Sequence, residues 1–456
     1  MSTDHPIPTA VDIAVVGGGM VGGTLAVALC HVLTAQGYTV ALIDADPASA
    51  EGTQAHSDPR TTAMSFASRQ ILSALSCWPG DSSPIHQVHV SHRGYLGKVR
   101  LSAEELGVPA VGYVIDNGQY LQHLQQRIHH YAEQHDQAAS THSFTHPSTD
   151  PFTDPSADPS TDKARLFHCQ QCTVTGIAQQ DDHAQLSVQQ LSVTSQMTAK
   201  LVVAADGARS SLREWCHLTS RETDYEQVGI IANVTLDTPH QHIAYERFAA
   251  NGPVALLPLG THQASMVLTA DNHHASHLLA LSDDAFLAQL QQLFGRRLGR
   301  FIELGPRSSW PLYLVDSRVN CVGRVLFMGN AARTLHPVAG QGFNLAVRDM
   351  GSLIATLRHR SPTSHETHGS QETQASHDPG DASVLNAYAD NRKKDQQHTI
   401  ALTDALARIF RGANPAFSHL RSAGLLSLDR LPGARQTFGR AAMGVSAGLP
   451  DLPYPH

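Results

Sequence analysis

Three groups of residues in this chain have types and spacings that could do chemistry. The first is Gly17-Gly18-Gly19-Met20-Val21-Gly22. It directly follows the β-rich run Asp12–Val16 and opens an apolar helical pattern carrying Leu25, Ala28, Leu29, Val32 and Leu33. Gly17 permits a tight turn, Gly19 lets backbone approach a pyrophosphate, and Gly22 lets helix and strand pack closely. Thr39–Ile43 then reads as a second strand ending in Asp44, an acceptor for a ribose diol. Glycines alone are a weak signal; strand, glycines, helix, strand and acid in that order point to a dinucleotide site.

The second group lies in Gly323–Met350. A short apolar run (Val325–Met328) breaks at Gly329-Asn330-Ala331-Ala332, continues through His336-Pro337 and Gly340-Gln341-Gly342, and enters a helical pattern from about Phe343. Free N–H groups and the positive helix end near Gly342 would suit a group that becomes negative during turnover, such as a reduced isoalloxazine ring. An ordinary strand–turn–helix corner fits the same residues. His336 is a candidate proton acceptor or simply a loop histidine packed beside Pro337. The third group is Val202–Arg213, an apolar strand running into Asp206-Gly207 and a helix opened by Ser210 and Ser211. Asp206 could hold ribityl hydroxyls, and Arg209 and Arg213 could meet phosphate; a plain Asp-Gly turn with capping serines is the alternative. Arg60, expected just before a helix, could pair with phosphate or lie along a flavin edge, or be an ordinary surface arginine.

The elements that must position these groups follow from pattern. Asn117-Gly118-Gln119 starts a helix to about Tyr131, and Phe167–Val203 gives about three alternating strands. Val88–Arg100 reads as two short strands, and 225–269 as several strands of an antiparallel sheet suited to wall a substrate cavity. The expected division is a dinucleotide-binding part at 1–85, 116–224 and 316–360, which the resemblance given below makes FAD-binding, a substrate β part at 86–115 and 225–315, and a helical region at 384–456. Residues 135–163, with the near-repeat PSTDPFTDPSADPSTD, and 361–383 read as disordered insertions without chemistry.

Composition narrows the classes. At 456 residues the chain is long enough for two or three domains, and 41% hydrophobic content with 16% charged residues is that of a soluble globular protein. A net charge of −8 argues against a nucleic-acid binder. The six cysteines include one short spacing, Cys169 to Cys172, placed in one strand where residues three apart face opposite ways, so no metal is expected. Reduced thiols and an N-terminus without a basic n-region suggest a cytoplasmic protein. Val15–Leu33 is apolar enough to be mistaken for a membrane helix, but its glycines argue for strand–turn–helix. From Ala405 to Arg440 six arginines interleave with apolar residues against one acid, Asp429. That segment suggests docking to the inner face of an anionic membrane or to a partner; a helical pair packed on the core fits equally.

Together, Gly17–Gly22, Asp206-Gly207 and Gly329–Gly342 resemble the class A FAD-dependent aromatic monooxygenases. YEQVGIIANV, ERFAANGPVALLPL and GNAARTLHPVAGQGFNLAVRD resemble their branch of 2-polyprenyl-6-methoxyphenol hydroxylases in ubiquinone biosynthesis. The resemblance implies an α/β fold: a Rossmann-like, p-hydroxybenzoate hydroxylase-like FAD domain with an inserted antiparallel substrate sheet and a C-terminal helical segment. It implies that Gly17, Gly19, Gly22 and Asp44 hold the ADP half of FAD, with Arg60 and Gln119 also touching it. Asp206 and Gly207 would line the ribityl and pyrophosphate region, Gly329 and Asn330 the ribityl chain, and Pro337, Gly340, Gln341, Gly342 and Asn344 the ring. Asn330 stands where the wider family has Asp, keeping a hydrogen-bonding group without the charge. NADPH or NADH would reduce the flavin without a Rossmann domain of its own, and O₂ would supply the oxygen for a polyprenylated phenol. Partners implied are that substrate and a ubiquinone-biosynthesis protein complex. A hydroxylase of a small aromatic acid and a non-catalytic flavin-binding assembly subunit are the rival readings.

Overall fold

A computed structural model describes residues 7–46, 60–141, 165–249, 252–337, 340–359, 378–409, 415–445 and 448–454. The nucleotide-binding sheet is built on parallel strands. Ala10–Val16 lies between Thr39–Asp44 and Val193–Ala204, with Arg165–Gln170 beyond the former and Val325–Phe327 beyond the latter. Ile13, Val15, Val40, Leu42, Leu201 and Val203 are fully or almost fully buried, because helices cover one face and further strands the other. The glycine-motif helix Met20–Val32 and the helix Gln341–His359 share the core on the first face, with Leu25, Leu29, Val347, Met350 and Leu353. An antiparallel extension, Cys172–Gln179 and Ala184–Gln190, folds onto Val193–Ala204.

The second sheet is nine-stranded. Its long member Arg221–Leu236 pairs with Gln263–Asp271 and Ser308–Asp316, and Gly252–Leu259 and Ile243–Ala249 extend it. Gln87–His92 joins parallel to Ile243–Ala249, and Lys98–Ser102 closes that edge. Helices Asn272–Ala280 and Asp283–Phe294 cover one face, each opened by an acid or serine whose side chain caps a backbone N–H. A small sheet of Thr61–Ser65, Gly112–Asp116 and Ser83–Ile85 sits between the two large ones. This is the mixed α/β architecture that the resemblance implied.

Several local expectations change. Arg60 precedes a strand, Thr61–Ser65, and the helix comes after it, capped by Ser65. Cys169 and Cys172 lie on two successive strands, separated by Gln171 at φ +53°, and both are buried. Burial pushes the Cys169 thiol up to about 12, which keeps it protonated and unreactive. Four strands, not three, span 165–204. The helix from Asn117 continues to Thr141, and Asp378 is anchored by Arg324 at 2.7 Å just before the helix Ala382–Ile409. The remainder of both expected insertions lies outside the described residues. No helix among the described residues is long and apolar enough to cross a membrane.

Candidate cofactor and substrate site

The parallel strands end in register: Val16 lies beside Ile43 and Ala204, and Ala204 beside Phe327. Gly17 N donates to Ile43 O at 2.8 Å, Ala205 N to Val16 O at 2.8 Å, and Met328 N to Ala204 O at 2.9 Å. All three motifs therefore leave the sheet at its carboxyl edge, where doubly wound sheets bind ligands. Close approach there depends on missing side chains. A Cβ on Gly17, which has φ +106°, would stand 2.5 Å from Ala205 O, and one on Gly22 would stand 1.8 Å from Gly17 O. Gly329 at φ +59° comes against Val21, where a Cβ would be 2.8 Å from Cγ2. The first motif thus touches both of the others.

Gly19 is different: a Cβ there would meet nothing within 4 Å. It is the N-cap of Met20–Val32, without a side-chain cap or an acid in the first turn. Open space over free N–H groups and a positive helix end suits a phosphate. Gly342, in the first turn of Gln341–His359, also faces open space, and no acid occupies that turn. The two helix starts are tied together: Phe343 packs edge-on to Tyr120, with ring centroids 5.9 Å apart, and the Tyr120 hydroxyl lies 2.8 Å from Thr24 Oγ1. Gln119, next to Tyr120, is exposed on the same helix start and donates its N–H to Asp116 at 2.9 Å.

Asp206 carries the test of whether a cofactor fits. Its Oδ2 accepts the Leu212 N–H at 3.5 Å, whereas its buried Oδ1 has no hydrogen-bond partner among the described residues. Burial raises its carboxyl above the ordinary range despite hydrogen bonds from Ser210 and backbone. An orphaned buried acceptor costs about 1–3 kcal/mol, and a hydroxyl donor from a bound group would remove that cost. The residues present fit a dinucleotide.

Other predicted residues take varied positions. Asp44 is half-buried, with its carboxyl over Gly18, where a Cβ would be 2.0 Å from Oδ2. Gly18 is therefore a residue the sequence reasoning missed. Gly207, at φ +88°, faces open space, and Asn330 is exposed at its turn. Arg60 lies over the Trp310 ring at 5.0 Å, joining this site to the second sheet. Arg213 donates to Ala208 O at 2.7 Å and to Ala331 O at 3.4 Å, so it clamps the second corner to the third. Asn344 spends its amide on protein: Nδ2 donates to Ala63 O and Gly340 O, and Oδ1 accepts Ser65 N. It thereby fixes the Gly340 loop, with Gln341 buried beside it.

His336 is 2% exposed and sits edge-on to Tyr225, with centroids 5.1 Å apart. Tyr225 in turn donates to Asp404 at 2.8 Å. Burial lowers His336 to about 4, so it is neutral at pH 7. This packing favours the structural one of its two readings; Pro337 beside it is exposed.

Behind the third corner is a buried ion network the sequence reasoning did not find. Arg392 donates to Asp349 at 2.6 Å and also pairs with Asp395, which accepts from Arg348 at 2.8 Å. Gln396 links Asp349 to Asn320, and Asn320 accepts from Arg333. Burial works to raise Asp395, but Arg348 and Arg392 outweigh it and hold the carboxyl below its ordinary value. The available signal was two arginines and two acids at apolar positions of two helices, with Arg333 on the short strand before the first of them.

Such a fold and site define a flavin-dependent oxygenase scaffold, and the chain belongs to the FAD binding domain family, whose model matches residues 10–367. Its fold is shared with p-nitrophenol 4-monooxygenase PnpA of Pseudomonas putida, at TM-score 0.69 and 15% identity over 96% of this chain and 99% of that one. PqsL of Pseudomonas aeruginosa, described as a probable FAD-dependent monooxygenase, gives 0.64 and 17% over 92% and 100%. Among proteins of known sequence, the chain is 29% identical to ubiquinone hydroxylase UbiL of Rhodospirillum rubrum, over 97% of this chain and 91% of that protein. It is 26% identical to the 3-demethoxyubiquinol 3-hydroxylase of Escherichia coli, over 95% and 98%.

Proposed function

We propose that this protein is an FAD-dependent aromatic hydroxylase of ubiquinone biosynthesis, acting with NAD(P)H and O₂ on a polyprenylated phenol of the 2-polyprenyl-6-methoxyphenol type. The observation that carries the reading is the meeting of three glycine-bearing corners at one sheet edge beside an unsatisfied Asp206. Relatives named as ubiquinone hydroxylases supply the substrate class.

In this reading Gly17, Gly19 and Gly22 admit the pyrophosphate, Asp44 accepts the ribose hydroxyls, and Asp206 Oδ1 and Asn330 take ribityl hydroxyls. Arg60 and Gln119 border the cofactor. The N–H groups of Gly340–Gly342 lie at the ring, held in place by Asn344. Bound there, FAD supplies hydride acceptance from NAD(P)H and activation of O₂. The chain's own contribution is to orient the phenol, exclude water and place donors where negative charge develops. Exposed Arg430 and Arg440 on the C-terminal helices support peripheral contact with an anionic membrane, although Arg435 is paired with Glu105 and Arg408 with Asp404.

The test is NADPH oxidation by purified yellow protein. Oxidation that depends on a polyprenylated phenol and yields stoichiometric hydroxylated product is expected. No substrate dependence would leave the assembly-subunit reading, and turnover of p-hydroxybenzoate alone would favour the soluble-acid reading. A strain lacking the protein should accumulate an under-hydroxylated prenylated phenol.

A further inference from the structure

One corner of the nine-stranded sheet gathers cations that the site above does not use. Register sets Tyr245 beside His89 and His89 beside Arg100; two residues along, Arg247 lies beside Ser91 and Ser91 beside Lys98. Tyr245 belongs to the core under the helices Asn272–Ala280 and Asp283–Phe294. By alternation His89, Arg100, Arg247 and Lys98 share its face, whereas Glu246 points the other way. Beyond the end of Asp283–Phe294 the chain turns, and Arg297 Nη1 lies 2.8 Å from His89 Nδ1. Arg93 follows on the strand of His89, its N–H donating to Phe248 O at 2.8 Å.

Five cations therefore meet: Arg93, Lys98, Arg100 and Arg297, all exposed, and the half-buried Arg247. None makes an ion pair among the described residues, and the buried Nε of Arg247 has no hydrogen-bond partner there. Two acids beside this edge are already taken. Asp429, which accepts the Arg100 N–H at 3.4 Å, and Glu105 both pair with Arg435. The negative end of the helix Asp283–Phe294 offsets only about half a charge. Burial, then Arg297, Arg100, Lys98 and Arg247, lower His89 to about 4. Burial, then Arg297 and Arg93, hold Arg247 below its ordinary value. In a chain of net charge −8 this corner is locally positive.

The turn between Gln87–His92 and Lys98–Ser102 carries Leu96, which is 85% exposed. That turn is held firmly. Tyr95 stacks on His92 at 4.4 Å and meets His419 edge-on at 5.0 Å, and Gly97 N–H donates to Ser422 Oγ at 2.8 Å. A single exposed leucine is ordinary. One fixed at a turn, with Arg93 and Lys98 on its two arms, sets an apolar point within a positive field. A stable protein interface would bury roughly 800 Å² here around a core poor in lysine, and this surface is cationic around one apolar residue. An anionic bilayer matches it better: headgroups take the cations, and the acyl boundary takes the leucine.

Resting on the membrane contact proposed above, we infer that this corner is the lipid-docking surface. Phosphate headgroups of an anionic bilayer pair with the five cations, and Leu96 enters the headgroup boundary. The neighbouring C-terminal helices are then brought to the membrane by this corner.

The test is co-sedimentation of the purified yellow protein with vesicles of phosphatidylcholine, alone or mixed with phosphatidylglycerol, at low and high salt. It reads no turnover, so its outcome is separable from that of the hydroxylation assay. Wild type should bind the anionic vesicles alone, and less at high salt. Arg93→Gln, Lys98→Gln and Arg100→Gln together should weaken binding about 100-fold, near fivefold per cation, with flavin content and melting temperature unchanged. Arg297→Gln alone, losing about fivefold, serves if the triple variant does not fold. Leu96→Ser should lose about tenfold at both salt concentrations. Equal wild-type binding to both vesicles, or charge variants that bind like wild type, overturn the corner. Unchanged binding by Leu96→Ser overturns the insertion. Binding lost with Arg430→Gln and Arg440→Gln instead would keep the membrane contact and move it to the C-terminal helices. Wild type that ignores both vesicles overturns the contact itself.

Discussion

Gly19 and Gly22 lie three residues apart in one motif, yet a side chain at each would fail for a different reason. At Gly22 the added carbon would enter the Gly17 carbonyl, 1.8 Å away, so Gly22→Ala should disturb the strand–helix contact and lower the melting temperature. At Gly19 the added atoms would occupy open space. Gly19→Val should fold and melt close to wild type but purify colourless, because it fills the volume assigned to the pyrophosphate. Flavin absorbance and thermal melting of the two variants separate these effects; a yellow Gly19→Val would refute the placement. The glycine spacing predicted both positions. It could not reveal Gly18, whose lack of a side chain makes room for Asp44, because that contact joins two strands across the sheet.

At the scale of elements, the helix Gln341–His359 is held from behind by Ala382–Ile409 through charges rather than apolar packing alone. Asp349 faces Arg392 at 2.6 Å and Arg333 at 3.8 Å, all nearly inaccessible to water. Asp349→Ala would leave Arg392 with Asp395 alone and Arg333 with Asp316 at 3.8 Å, and should cost toward the lower end of the about 3–5 kcal/mol of a broken buried pair in denaturant unfolding. A loss below about 1 kcal/mol would show that the network is dispensable. Asp395 adds a pH dependence. Its folded pKa is depressed, so its contribution is complete above the ordinary aspartate value of about 3.9 and is lost as pH falls below it. Since this helix starts at Gly340–Gly342, the network also sets where the proposed ring site lies.

For the whole molecule, two sheets meet across a seam that one small sheet, Arg60 and the C-terminal helices help to bridge. Ser422 Oγ accepts Gly97 N–H at 2.8 Å, and Gly439 packs on Leu106, so the arginine-rich tail is seated on the edge of the second sheet. Both readings of that tail, packing and membrane contact, thus concern one body. The long polar stretch between Thr141 and Arg165 carries little apolar matter to bury. Closing entropy changes by only about 0.6 kcal/mol for each doubling of loop length. Removal of residues 150–162 should therefore leave flavin content unchanged and stability within about 1 kcal/mol. A larger loss would mean that the repeat supports the fold.

Local pattern by itself determined the first strand, most of the helices and the three glycine-bearing turns, because alternation, helical periodicity and left-handed turns are properties of neighbouring residues. The strand ending at Val16 and the helix opened by Met20 show this, since both form where the pattern around the first glycines placed them. Tertiary structure alone decided which side chains face one another. It buried His336 under Tyr225, turned Arg60 onto Trp310, spent Asn344 on the backbone, and set Asp349 against Arg392. Those outcomes depend on register and on packing between segments hundreds of residues apart, and no short-range preference encodes either.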